Sequence, residues 1–199
     1  MKTGSCHFLS TALVTLIAGL AFLNSHTTLA DELIPTVSPL NAPADVVFVD
    51  AGAVAACLKA ARPGALCLSL DRVLNPAGRL ANMRDVRWLL GSYGLTGDEQ
   101  VVIYADQERT RDAMAAIFYL AGQDQVSRLN DGPQVDLTGR GVAGALSRRA
   151  LFVGEVRLSH LQPAPYGRVS STQLAEFVGA LNRDPKARFM WPMGYLRCC

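Results

Sequence analysis

Val101 to Tyr104 is an unbroken apolar run rich in β-branched residues. Asp112 to Ala121 is apolar around most of a helical circumference until Gly122 stops it, and Val126 to Leu129 is a second short apolar run. The pattern predicts strand, loop, helix and strand, a βαβ unit whose central loop is Ala105 to Thr110. At such a junction the first N–H groups of the helix lack intrahelical partners, and an anion is favoured there.

Upstream, Val46 to Asp50 predicts a strand, the alanine-rich Ala53 to Ala61 a helix, Pro63-Gly64 a turn, and Ala65 to Leu70 another strand. Asn75 to Asn82 reads as a loop around Pro76-Ala77-Gly78. Met83 to Tyr93 sets Val86, Leu89, Leu90 and Tyr93 on one helical face, with Arg84, Asp85 and Arg87 largely opposite. Downstream, Pro133 to Arg149 is a polar, glycine-rich loop, and Ala150 to Leu158 alternates as an edge strand would. Gln162 to Gly167, with Pro163 and Pro165, reads as a linker. Val169 to about Leu181 is a helix with hydroxyl caps available, and Lys186 to Trp191 starts a strand. Strands alternating with helices over short links predict an α/β fold. Its sheet is mostly parallel with helices on both faces, and an incomplete C-terminal helix-strand extension follows.

The amino terminus changes the picture. Lys2, the apolar run from Phe8 to Leu23 and Thr28-Leu29-Ala30 form a secretory signal over residues 1–30, cut after Ala30. The run is short for a membrane span of roughly twenty residues, so the mature chain is expected to be periplasmic or secreted, without a membrane segment. Charge adds little: 19 basic against 17 acidic side chains give no reason to expect nucleic acid. Cys57, Cys67, Cys198 and Cys199 follow the leader. The first two sit in apolar surroundings and read as buried structural thiols, with a disulfide left open on their Cα separation. The adjacent tail pair has no histidine nearby and makes no metal site. No cofactor is expected. His160, beside Leu158 and Leu161, reads as a packed or surface residue rather than a catalytic base.

Tyr104, then Tyr119-Leu120-Ala121-Gly122, then Val126, Leu129 and Gly132 resemble the active-site region of rhodanese-like sulfurtransferases. Val46 to Asp50 resembles that family's first core strand ending in Asp-x-Arg, with Gly52 in place of the arginine. Arg62-Pro63-Gly64-Ala65 resembles its His-Ile-Pro-Gly-Ala signature with the first two positions altered, and Leu89 to Glu99 resembles the linker into the catalytic strand. Counting back from Gly122 sets the family's nucleophilic cysteine at Ala105. The resemblance is to the non-catalytic first domain of tandem thiosulfate or 3-mercaptopyruvate sulfurtransferases. It implies a rhodanese-like domain over residues 44–158. Residues 166–199 then hold a truncated start of a second, since Tyr166 to Trp191 resembles that domain's opening. The alternative is that the C-terminal helix packs on a single domain.

Asp106, Gln107, Glu108, Arg109, Thr110 and Arg111 are the loop candidates for holding an anion or sulfur compound, and Asp50 the residue that orders neighbouring loops. Asp106 and Glu108 oppose an anion by about 1 kcal/mol each at exposed positions, and Arg109 and Arg111 offset this. Arg84 and Arg87 are further cations that could gather there. The implied partners are a small sulfur-containing anion or a protein supplying the catalytic half. The alternative is an active thiosulfate sulfurtransferase with a displaced thiol, Cys67 before Cys198 or Cys199. A phosphatase with a cysteine-to-arginine loop fails for the same missing cysteine.

Overall fold

A computed structural model describes residues 32–39, 45–74, 81–130, 137–164 and 169–192. The leader expected over 1–30, residues 75–80 and 131–136, and Cys198 and Cys199 lie outside them. Five strands form one sheet: β1 (Thr36–Val37), β2 (Val47–Asp50), β3 (Leu66–Cys67), β4 (Gln100–Tyr104) and β5 (Gln125–Leu129), in the order β1-β5-β4-β2-β3. Every pairing is parallel, as the alternation of strands and helices predicts.

β4 sits at the centre, and its side chains alternate between the two faces. Val101 and Ile103 enter one apolar cluster, Val102 and Tyr104 the other. The first face carries α2 (Met83–Ser92), α3 (Glu108–Ala121) and α4 (Ser171–Arg183); the second carries the single turn α1 (Val54–Cys57). Helices thus cover both faces. From Ala113 to Ala121 every residue of α3 is buried, because the sheet covers one side and α4 packs along another. α4 begins with a capping box, Ser170 and Gln173 bonding each other's backbone N–H, and turns Leu174, Phe177, Val178 and Leu181 into the same core. The Asn182 side chain bonds both the N–H (3.0 Å) and the C=O (2.9 Å) of Ile34, pinning the chain before β1 to α4.

Four expectations are corrected. The helix expected over Ala53 to Ala61 ends at Cys57, because Ala61 exchanges backbone hydrogen bonds with Gly139 at 3.0 Å. The strand expected over Ala65 to Leu70 pairs only at Leu66–Cys67 before a 3-10 turn at Leu70–Arg72. Ala150 to Leu158 forms no strand: its N–H groups go to the helix ends and turns of the body, Ala150 to Gly91, Val153 to Thr96 and Arg157 to Leu120. The presumed linker instead contains β6 (Leu161–Ala164), parallel to β7 (Phe189–Pro192). Each strand of a two-stranded ribbon has an open edge where a proline's missing N–H costs nothing.

Cys57 and Cys67 are buried as expected, but they are joined in a disulfide, their Cα atoms 5.7 Å apart. The loop at Gly141 closes over it, where a Cβ would lie 2.2 Å and 2.4 Å from the two sulfurs.

Candidate functional site

In a parallel sheet all carboxyl ends lie along one edge, and the crevice outside them is where ligands of α/β folds bind. Here that edge presents Asp50 from β2, Ser69 just after β3, and Ala105 just after β4. Asp50 and Tyr104 are register partners, so both side chains leave the same face. The Tyr104 hydroxyl accepts the Arg62 backbone N–H at 3.3 Å and interacts with the Asp50 carboxylate. Asp50 Oδ1 also accepts the Gly52 N–H at 2.8 Å, and a Cβ at Gly52 would stand 2.9 Å from that oxygen. The Arg62 guanidinium stacks over the Phe48 ring at 4.0 Å.

Burial raises the Asp50 carboxyl above the usual carboxylate range. The Gly52 and Tyr104 hydrogen bonds oppose the shift, and the charge of Asp106 adds to it. Burial likewise pushes the Tyr104 hydroxyl up to about 12, with the Arg62 N–H opposing and Asp50 adding.

The loop is shorter than its sequence suggests, since α3 starts at Glu108. Only Ala105, Asp106 and Gln107 lie outside regular structure; Glu108, Arg109, Thr110 and Arg111 form the first helical turn. No side chain caps this turn, and the Gln107 carbonyl accepts from Thr110 (3.0 Å) and Arg111 (3.1 Å). The Ala105 methyl is buried in the main apolar cluster, Asp106 to Arg109 are exposed, and Thr110 is half-buried.

Arg111 does not serve the loop. It is buried, with Nη1 donating to the Leu129 carbonyl at 2.7 Å and Nε to Asp112 at 2.8 Å. Arg128 reaches the other Asp112 oxygen at 3.3 Å. These bonds fix the start of α3 to the end of β5. Arg84 and Arg87 do not gather at the loop either, but line a separate hollow with Trp88 and Arg148.

Two cavities flank the loop. One of about 340 Å³ is lined by Gly52, Ser69, Asp71, Ala105, Asp106 and Thr110 among others, and it reaches Ser171 at the start of α4. The other, about 270 Å³, is lined by Asp50, Cys57, Tyr104, Asp106 and Leu137 among others. Three carboxylates, Asp50, Asp71 and Asp106, face these spaces, and among the described residues no lysine or arginine lines either. A larger cavity, about 480 Å³, lies at the far end of α3 beside Gly122, Asp124 and Arg157.

Cys67, the displaced-thiol candidate, is fully buried and bonded to Cys57. His160 is half-buried, with Nε2 3.2 Å from the Tyr119 hydroxyl and Nδ1 2.9 Å from the Ala187 carbonyl. Among the described residues no group of three or more histidine, cysteine or acidic side chains is placed to hold a metal. The Asp50–Tyr104 pairing is absent from the sequence reading. Its signal lies in two β runs that each end on a polar residue and align when paired in parallel.

No protein-family model matches the chain, and no curated protein matches it. Solved structures similar to it include a probable thiosulfate sulfurtransferase, 21% identical, with a TM-score of 0.44 over 62% of this chain and 54% of that one. The chain spans about half the length of that structure.

Proposed function

We propose that the chain is a non-catalytic rhodanese-like module that serves as a structural partner to a sulfur-transferring domain. The observation that carries this reading is Ala105. A buried methyl occupies the point between the end of β4 and the start of α3, where the resemblance puts the sulfur carrier. Transfer of sulfane sulfur needs a thiolate to become a persulfide, and alanine offers no nucleophile. Cys57 and Cys67 offer none either while buried and bonded to each other. Carboxylates at Asp50, Asp71 and Asp106, with no lining cation among the described residues, weigh against capture of a small sulfur-containing anion. The packing of α4 on α3 supports reading the C-terminal helix as part of this module. The leader pattern and the disulfide support a periplasmic or secreted location, since such bonds persist in oxidising compartments.

The test is thiosulfate:cyanide sulfurtransferase activity of the chain from Asp31 to Cys199, with Ala105→Cys assayed beside it. The expected outcome is no turnover in the parent and a measurable gain in the variant. Turnover in the parent would overturn the reading, and its loss on replacing one cysteine by serine would identify the thiol responsible.

A further inference from the structure

α2 buries Met83, Val86 and Leu90 and leaves Arg84 and Trp88 facing solvent. Gly91 lets residues 148–150 cross this helix closely: its carbonyl accepts the N–H groups of Arg149 and Ala150, both at 3.0 Å, and a Cβ on it would meet the Ala150 oxygen at 2.5 Å. That crossing brings Arg148 beside Arg84 and Arg87. Together with Trp88 and Leu151 they surround a hollow of about 190 Å³ that Phe152 also lines. Trp88 is 43% exposed, Leu151 62%, and nearby in sequence Leu146 is wholly exposed.

Among the described residues none of the three arginines makes an ion pair and no carboxylate lines the hollow. Arg87 gives one Nη to the Phe152 carbonyl at 3.3 Å, while its buried Nε has no partner. Three cations held together without a counter-charge repel one another, and a bound carboxylate relieves this. Arginine's planar fork suits carboxylates in particular. Exposed tryptophan and arginine around a concavity is also the composition of interface centres.

We propose that the outer face of α2 with residues 148–153 is a docking surface for a protein segment presenting one apolar side chain flanked by carboxylates. The apolar side chain enters beside Trp88 and the carboxylates meet the arginine rim. A concave hollow the size of one side chain fits an inserted residue better than a lipid surface. The inference does not depend on the reading of the β4–α3 loop.

A short fluorescent peptide with a central leucine between glutamates, titrated into the full mature chain and read by anisotropy, tests this. Binding is expected, weakened about tenfold by Trp88→Ala and by the Arg84→Glu/Arg148→Glu double variant. It should also weaken in about 0.5 M salt. These side chains are at the surface, so the melting temperatures of the variants should match the parent and show that the fold is retained. Three outcomes would overturn the proposal: no binding, binding untouched by the variants, or equal binding of a peptide with serine for the leucine. Trp88-dependent binding to phosphatidylglycerol vesicles without peptide binding would also overturn it, assigning the face to a membrane.

Discussion

Asp50 and Tyr104 end two adjacent parallel strands as register partners, and the Tyr104 hydroxyl interacts with the Asp50 carboxylate. The contact joins the residue that ends β2 to the residue that precedes the loop. Tyr104 in turn accepts the Arg62 N–H, so three separate segments of the crevice meet at one phenol oxygen. The energetics of this network are readable by titration.

Burial holds the Asp50 carboxyl above its ordinary value of 3.8. A group raised on folding gives its full stabilisation below the unfolded value and loses it as pH rises through the folded one. Asparagine keeps an acceptor for Gly52 and Tyr104 without the buried charge. Asp50→Asn should therefore gain melting temperature relative to the parent as pH rises from about 3 to 7. A difference that stays flat over that range would show that Asp50 is not desolvated.

The Cys57–Cys67 bond closes a ring of 10 residues in sequence separation between α1 and β3. Chain-entropy reasoning assigns a ring of this size about 3 kcal/mol. The parent should lose roughly that much in denaturant unfolding when fully reduced. The double variant Cys57→Ser/Cys67→Ser should unfold at the reduced parent's midpoint and ignore reductant. Equal stability of the oxidised and reduced parent would sink this account.

Gly122 and Gly154 meet backbone to backbone. Gly122 ends α3 with φ +104°, and a Cβ on Gly154 would fall 2.3 Å from the Gly122 oxygen. The contact is backbone against backbone, so no flexible side chain can yield. Gly154→Ala should cost on the order of 3 kcal/mol in thermal or urea unfolding, by overpacking. A neutral result would mean that the segment around Gly154 can lift off the end of α3.

Much of the central βαβ unit was legible because its signals are local. β4 is a β-branched run, α3 is apolar all round, and Gly122 supplies the left-handed stop that such a helix needs. The α4 cap at Ser170 is equally local. What sequence periodicity misreads depends on partners distant in the chain. Ala150 to Leu158 alternates like a strand, yet the main-chain partners of Ala150, Val153 and Arg157 are Gly91, Thr96 and Leu120. Leu161–Ala164 looks like a linker because of its proline, and becomes a strand only when β7 arrives beside it. In the candidate site Ala105 directly follows β4. The role of Arg111 was not legible, because whether a cation faces a loop or a buried carbonyl depends on where β5 ends.

Arg111 gives the sharpest separation between a loop built for an anion and a loop built for support. Its guanidinium is spent on the Leu129 carbonyl and on Asp112, which is shared with Arg128. Removing it strands a buried carbonyl and leaves Asp112 with one partner, so Arg111→Met should cost about 2 to 3 kcal/mol of folding stability. Lysine presents a point charge rather than a fork, and Arg111→Lys should recover only part of that loss. Sulfate provides the control: if the arginine serves structure alone, added sulfate should raise the melting temperature of parent and variant by the same amount. A rise confined to the parent would mean that Arg111 faces an anion, and would restore the binding role the sequence suggested.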